Sequence, residues 1–219
     1  KILSELNGNS KNINLWRANT HNLLGDAYRV DSNITDFRKA INHYEEASTI
    51  FESYGEKHHL APTLLNLGLA YQAESRFTSY KKSLTYYNQA LELYTKLIDH
   101  TAISITQKHL GSVLSRMGKY REALKAFRSS LKRQQAQVST KDFTILELEY
   151  FADAYSGLGE YHLAREVLTT ALNEDNSTES KINNSRILTA IGCTFTSTHQ
   201  NEKAVKFFNK ALESGKEVL

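Results

Sequence analysis

Large apolar and small residues recur along this chain in a short pattern that occurs five times. In each occurrence a large apolar residue precedes a glycine or alanine, and a ring or a leucine follows three positions after the small residue. The five segments are Leu23–Tyr28, Asn66–Tyr71, His109–Leu114, Tyr150–Tyr155 and Ala190–Phe195. Their small residues are Gly25, Gly68, Gly111, Ala152 and Gly192, which lie 43, 43, 41 and 40 positions apart. This near-constant period predicts a repeat architecture.

A second pattern follows each of these segments and has the spacing of one helix face. It consists of a small residue, a large residue four positions later and another small residue three positions after that. The five sets are Ala40/Tyr44/Ala47, Ser83/Tyr87/Ala90, Ala123/Phe127/Ser130, Ala164/Leu168/Ala171 and Ala204/Phe208/Ala211. Steps of four and three residues keep side chains on one face of an α-helix. The two patterns therefore predict five pairs of closely packed helices.

The turn signals between the apolar stretches place the ends of ten helices. The predicted spans are 14–30, 36–53, 61–74, 79–97, 102–117, 120–136, 142–157, 161–173, 181–197 and 201–217. Pro62 is expected in the first turn of the third helix, where a missing N–H costs little. His58 and His59 are expected in the turn before that helix. They have no further ligand at a usable spacing, so we predict no metal site.

These residues resemble the tetratricopeptide repeat, whose pattern is W-x2-L-G-x2-Y…A-x3-F…P over about 34 residues. The resemblance covers roughly residues 14 to 217, but the initial Trp and the terminal Pro of the pattern are missing. The period is also about six residues longer, which corresponds to roughly an extra turn on each helix of a pair. Repeats of this length are similar to those of kinesin light chain, the Pins/LGN adaptors, bacterial peptide-sensing regulators and the caspase-like CHAT proteins.

The resemblance implies an all-α fold, a right-handed α-solenoid of five helix-turn-helix repeats. We expect a single solenoid domain over residues 14–219. Its repeats are expected at about 14–57, 58–99, 100–138, 139–177 and 178–219. Residues 1–13 are expected to be the end of a preceding helix or a linker. Because the chain opens at Lys1 without a Met, we interpret it as part of a longer protein.

Composition narrows the class of protein further. The chain contains a single proline and ten glycines, which favours long helices over many short strands. The one cysteine, Cys193, cannot form an internal disulfide and is typical of a reducing compartment, so we expect a cytoplasmic protein. No apolar run is long enough to span a membrane. No metalloprotease, hydrolase, phosphate-loop or dinucleotide-binding motif is present, so we predict neither an enzyme nor a bound cofactor.

Charge is unevenly distributed between the third and fourth repeats. Residues 108–133 hold eight Lys or Arg against one acid, whereas residues 141–175 hold eight acids against two basic residues. Four basic residues, Arg121, Lys125, Arg128 and Lys132, lie on one stripe of the sixth helix. We interpret this stripe as a solvated outer face. The alternative is a patch for an acidic partner or RNA, but no aromatics are interleaved with it as base stacking requires, so nucleic acid is not the expected partner.

In the tetratricopeptide family, ligand contacts come from positions that flank the small residue of the first helix of each pair, which lines a concave groove. Carried over to this chain, the groove residues are Asn22, Asp26, Arg29, Asn66, Leu69, Gln72, Lys108, Ser112, Arg116, Glu149, Asp153, Ser156, Arg186, Thr189 and Cys193. The set is mixed polar. Its Asn and Arg side chains can hydrogen-bond an extended peptide backbone.

The resemblance therefore implies a non-catalytic scaffold that binds a protein or peptide in this groove. An alternative stays open, in which the chain is the regulatory or sensor arm of a larger protein. The partner would then be another domain of the same polypeptide, as in a peptide-responsive transcription regulator or a caspase-like CHAT protease. The neighbouring reading frame would distinguish the two.

Overall fold

The structure, a computed structural model, describes residues 2–30, 35–74, 77–137, 145–170, 172 and 178–216. Within these residues it contains ten α-helices and no strand. They are α1 (Ile2–Val30), α2 (Phe37–Ser53), α3 (Lys57–Ala73), α4 (Phe77–Lys96), α5 (His100–Arg116), α6 (Tyr120–Gln137), α7 (Ile145–Gly157), α8 (Tyr161–Thr170), α9 (Thr178–Ser197) and α10 (Asn201–Lys216). We call α1, α3, α5, α7 and α9 the first helices of their pairs, and the other five the second helices.

The helices group into two compact units. Unit 1 comprises Lys1–Val113 and Ser129–Gln134, and unit 2 comprises Leu114–Arg128 and Gln135–Leu219. In unit 1, α1 packs on α2, α2 on α3, and α3 on α4; in unit 2, α7 packs on α8, α8 on α9, and α9 on α10. The second helix of one pair thus contacts the first helix of the next in both units. This nearest-neighbour packing is the organisation of a helical repeat.

The small residues of the two sequence patterns pack the helices of a pair together. A Cβ placed on Gly25 would lie 2.5 Å from Cε1 of Tyr44, and one on Gly192 would lie 2.5 Å from Cε1 of Phe208. Gly68 is packed in the same way beneath the Tyr87 ring. Only a glycine leaves room for a ring at this distance. The predicted close approach of paired helices is therefore confirmed at these three positions.

Local signals fix where several helices begin and end. The Asp36 carboxylate accepts hydrogen bonds of 3.1 Å from the backbone N–H groups of Arg38 and Lys39, and so caps the start of α2. These bonds lower the pKa of Asp36. Gly118 and Gly159, in two of the predicted turns, have positive φ angles of 75° and 77°, which a side chain would strain.

Two predicted helix starts are wrong by at least four residues. Helix α1 begins at Ile2 and not at residue 14, because the glycine and asparagines near its start weaken a helix without ending it. Helix α3 begins at Lys57, so His58 and His59 lie in its first turn and Pro62 lies inside the helix. No strong stop signal separates Lys57 from Leu60, and the helix tolerates the one hydrogen bond that Pro62 cannot donate.

Candidate functional site

In unit 1, polar side chains of successive first helices hydrogen-bond to one another. Asn22 of α1 donates to Oγ1 of Thr63 in α3 at 2.8 Å. One turn further along, Asn66 of α3 donates to Asp26 of α1 at 3.2 Å. Gln72 of α3 donates to Oγ of Ser112 in α5 at 3.2 Å. These bonds join residues about one repeat apart, so the polar surface continues across three first helices.

Two tyrosines of the second helices reach this same surface. The Tyr44 hydroxyl donates to Asp26 at 2.7 Å and accepts from Nε of Arg29 at 3.1 Å. One repeat later, the Tyr87 hydroxyl donates to Oε1 of Gln72 at 2.6 Å. Burial and the Asp26 carboxylate raise the pKa of Tyr44 well above its usual value, so its hydroxyl stays protonated and remains a donor.

Two basic side chains of unit 1 influence a histidine of α5. Lys108 and Arg29 both act electrostatically on His109, whose ring stacks on Tyr87 with 5.9 Å between ring centroids. Burial, followed by the charges of Lys108 and Arg29, lowers the pKa of His109 to about 4. The imidazole is therefore neutral at physiological pH. Leu69 of α3, half-buried, adds an apolar element to this surface.

In unit 2, a recess of about 410 Å³ lies against α7 and α9. Its lining residues are Glu149, Ala152, Asp153, Ser156, Leu168, Ala190, Cys193, Thr194 and Ser197. Nη2 of Arg186 lies 2.7 Å from Oε2 of Glu149, which is largely buried. Burial raises the pKa of Glu149, while Arg186 lowers it. Part of Asp153 remains exposed, but the burial of the rest raises its pKa as well. The charge of Arg116 acts in the opposite direction and lowers this pKa.

The structure divides the predicted groove residues almost equally between the two units. Asn22, Asp26, Arg29, Asn66, Leu69, Gln72, Lys108 and Ser112 belong to unit 1, and Arg116, Glu149, Asp153, Ser156, Arg186, Thr189 and Cys193 to unit 2. Ser112 is buried and accepts from Gln72, so it supports the surface from below. Thr189 is exposed but donates back to the Ser185 carbonyl of its own helix.

Sequence reasoning missed four residues that build the unit 1 surface: Tyr44, Tyr87, Thr63 and His109. The second pattern predicts the two tyrosines as packing residues, and their rings are indeed buried. One signal was available, because the central ring of the second pattern is tyrosine in the first two repeats but Phe or Leu in the others. A phenol at a core position requires a hydrogen-bond partner, and the nearest polar surface supplies it.

The remaining candidate from the sequence is the basic stripe of α6. The basic side chains Arg121, Lys125, Arg128 and Lys132 of α6 are exposed, and Arg128 donates to the Tyr155 hydroxyl at 3.1 Å. Across the described ranges, no group of three or more His, Cys, Asp or Glu could hold a metal ion. Of the helices that the structure describes, none has the length and apolarity needed to cross a membrane.

Comparisons with known proteins agree with the repeat pattern. Models of the tetratricopeptide repeat match residues 78–136 and 185–214. The kinesin light chain TPR-like repeats of Podosopora anserina superpose with a TM-score of 0.74 at 14% identity, over 92% of this chain and 96% of that one. MamA superposes with a TM-score of 0.60 at 20% identity, over 89% of this chain and 95% of that one. No curated protein sequence matches the chain.

A third solved structure is a Rap protein complexed with competence and sporulation factor. It superposes with a TM-score of 0.68 at 19% identity, over 92% of this chain and 54% of that one. In the part of the chain that the structure describes, paired and repeating helices define an all-α helical-repeat protein of the solenoid class. The chain contains tetratricopeptide repeats, which the family models match over residues 78–136 and 185–214. Such repeats are protein-interaction scaffolds and are generally not catalytic.

Proposed function

We propose that this protein binds an extended peptide, or an extended segment of a partner protein, on the first helices of its repeats. The observation that supports this most directly is the set of hydrogen bonds between Asn22 and Thr63, Asp26 and Asn66, and Gln72 and Ser112. They hold polar groups of α1, α3 and α5 in one continuous strip. A ligand that lies across several repeats needs such a strip.

The chemistry of the strip matches a peptide backbone. A side-chain amide has two N–H donors and two acceptor lone pairs. The Asn22 amide donates one N–H to Oγ1 of Thr63, whose own proton goes to the His59 carbonyl at 2.7 Å, so a second N–H and the amide oxygen remain for a ligand. Peptide N–H and C=O groups need both kinds of partner when they leave water. The amides of Asn22, Asn66 and Gln72 can supply them at successive points along an extended chain.

The surface in unit 2 has a different character. Glu149, Asp153 and Arg186 place charges of both signs beside the recess, and Ser156 and Ser197 add hydroxyls. We propose that this recess accepts a polar or charged side chain of a bound partner. A Rap protein of similar fold has been solved in complex with competence and sporulation factor, which supports a protein or peptide as the ligand class.

The test is a selection of binders from a random peptide library on the 219-residue chain, followed by titration of the best peptide. The double variant Asn22→Ala/Asn66→Ala removes two amides of the unit 1 strip. Asn42→Ala/Asn88→Ala removes two exposed amides from the second helices α2 and α4 and is the matched control. We expect the first pair to weaken binding about tenfold or more, roughly 1.4 kcal/mol, and the control to leave it unchanged.

Equal loss of affinity in the two double variants would contradict binding on the first helices. Circular dichroism of both variants checks that the helices are retained. If no peptide binds saturably, the regulatory-arm alternative is favoured instead, in which the surface contacts another part of the same polypeptide. A pull-down from full-length protein cut between the domains would then recover that part.

A further inference from the structure

A recess of about 440 Å³ opens between α2 and α4, the second helices of the first two pairs, and reaches α3. The amides of Asn22, Asn66 and Gln72, on which we propose that a peptide lies, do not line it. We call it the α2–α4 recess. Its lining residues are Ser48, Glu52, Leu60, Leu64, Tyr86, Gln89, Glu92 and Leu93.

One wall residue of the α2–α4 recess, Ser48, departs from the repeat pattern. Ser48 directly follows the second pattern in the first repeat, and the other four repeats have Leu91, Leu131, Leu172 and Leu212 at this position. Leu91 and Leu172 are partly buried against hydrophobic clusters of their neighbours. A serine leaves the corresponding space open. Its hydroxyl donates to the carbonyl of Glu45 in its own helix at 2.9 Å, so it needs no partner across the recess.

Apolar side chains form a large part of the recess. Leu64 of α3 is buried, and Leu60 and Leu93 are partly buried against the hydrophobic cluster of unit 1. The Tyr86 ring stacks on Tyr71 with 5.5 Å between ring centroids, which fixes its orientation. These groups offer a ligand an apolar surface inside the recess.

The exposed rim of the recess is acidic. Glu52 of α2 and Glu92 of α4 both line it and are both exposed. Glu92 forms an ion pair of 2.6 Å with Lys96, whereas no ion pair to Glu52 occurs within the described ranges. Residues 40–56 hold four Glu and no Lys or Arg. The rim therefore favours a positively charged ligand group.

We propose that the α2–α4 recess binds a lysine or arginine side chain from a basic segment of a partner protein. Lys and Arg bury their aliphatic stems along apolar surface and keep their charged ends at the rim. The stem would lie against Leu60, Leu64 and Leu93, and the charged end would meet Glu52. An exposed ion pair contributes little by itself. Burial of the stem therefore supplies most of the affinity, and the carboxylates select a cation.

Ser48→Leu tests this assignment without disturbing the fold. Leucine is the residue that the other four repeats have at this position, so the variant fills the recess with a side chain that the repeat accommodates elsewhere. We expect its midpoint of urea unfolding to equal or exceed that of the wild type. Its affinity for a basic ligand should fall more than about tenfold. A loss of affinity at unchanged stability cannot come from unfolding.

The probes are labelled short peptides in four libraries, which have Arg, Lys, Met or Glu at the central position and small or polar residues elsewhere. Fluorescence anisotropy gives their dissociation constants for the 219-residue chain. The Arg and Lys libraries should bind more than about tenfold more tightly than the Met library, and the Glu library should bind most weakly. Added salt should weaken the binding of the Arg library, because salt screens charges at an exposed rim.

A charge variant tests the role of the rim. Glu52→Gln/Glu92→Gln keeps the size of both side chains but removes their charges. We expect it to lower the affinity for the Arg library about tenfold and to remove the preference for Arg over Met. Glu46→Gln removes an exposed charge of α2 that does not line the recess, and it should bind as the wild type does.

Three results would overturn the proposal. Equal binding of the Arg library by the wild type and by Ser48→Leu would place the basic segment elsewhere. Equal binding of the Arg and Met libraries by the wild type would make the recess an apolar site. The third is that no library binds saturably.

The test is separate from that of peptide binding on the first helices. Asn22→Ala/Asn66→Ala should bind the Arg library as the wild type does, because neither amide lines the α2–α4 recess. Conversely, Ser48→Leu should leave the affinity for a peptide held by these amides unchanged. Each proposal can therefore fail while the other holds.

Discussion

At the scale of single residues, His109 combines a structural and an electrostatic role. Its ring stacks on Tyr87, and burial together with Lys108 and Arg29 lowers its pKa to about 4. In the unfolded chain a histidine titrates near pH 6.5, so the folded state binds this proton less strongly. His109 therefore contributes stability that is present above about pH 6.5 and is lost as the pH falls towards about 4.

Replacing His109 should reduce the sensitivity of the fold to acid. In His109→Phe the stacking on Tyr87 is kept but the titration is removed. Between about pH 7 and about pH 4.5, the wild type should lose about 2 to 3 kcal/mol more unfolding free energy than the variant does. Urea denaturation at the two pH values measures this difference. The exposed His58 provides the control, and His58→Phe should lose as much unfolding free energy as the wild type does. Identical losses in the wild type and in His109→Phe would refute the assignment.

The types of residue at the candidate site could be predicted from the sequence, but their contacts could not. Helical spacing places Asn22, Asp26 and Asn66 on the first helices, and the structure puts all three on the unit 1 surface. Spacing does not specify rotamers or hydrogen-bond partners. For that reason Ser112 was predicted as a contact residue although it is buried beneath Gln72.

At the scale of helices, the contact between Gly25 and Tyr44 holds the first pair together. Tyr44 is fully buried, and its hydroxyl is fixed by Asp26 and Arg29, so its ring cannot move aside. A side chain on Gly25 must then push α1 away from α2. The same argument applies to Gly68 and Tyr87 in the second pair.

We therefore expect Gly25→Ala to destabilise the protein by about 1 to 3 kcal/mol, although alanine is the better helix former. Gly215 of α10 is the matched control, since a Cβ there would lie 3.5 Å from Oγ of Ser185, an ordinary contact. Gly215→Ala should be neutral or stabilising by up to about 1 kcal/mol. Urea denaturation compares the two. Equal effects would show that packing against Tyr44 is not the determining factor.

The helices themselves could be predicted well because the two patterns repeat and reinforce each other. The errors fall where a local signal was ambiguous. Pro62 is predicted in the first turn of a helix that begins at residue 61, whereas α3 begins at Lys57 and Pro62 lies inside it. A proline also fits a helix when packing with neighbours compensates for the missing hydrogen bond. Residues 2–13 contain weak helix formers. Helix propensity alone therefore predicts that α1 begins after them.

At the scale of the whole molecule, stability is distributed over two units with separate cores. Tyr44, Tyr87, Phe51 and Leu67 are fully buried in unit 1, and Ile187 in unit 2. In a helical repeat each pair contacts only its neighbours, so the effect of a local change decays along the chain. If one part of the chain unfolds locally, the backbone amides of distant parts then remain protected from hydrogen exchange.

Hydrogen exchange of Gly25→Ala should reveal this distribution. We expect faster amide exchange in α1 to α4, whose packing depends on the first two pairs, and wild-type exchange in α7 to α10. Mass spectrometry of peptic fragments gives the rates helix by helix. A uniform increase over all ten helices would mean that the chain opens as one cooperative block.

The phenols of Tyr44 and Tyr87 have a consequence for anyone who wishes to redesign the recognition of this scaffold. Asp26 and Gln72 cannot be exchanged freely, since each accepts the hydroxyl of a ring that fills the core. Among the described residues, no hydrogen bond joins Leu69 or Asn66 to the hydroxyl of a core ring. A library that randomises these two positions while holding Asp26 and Gln72 constant should retain a far larger fraction of folded members.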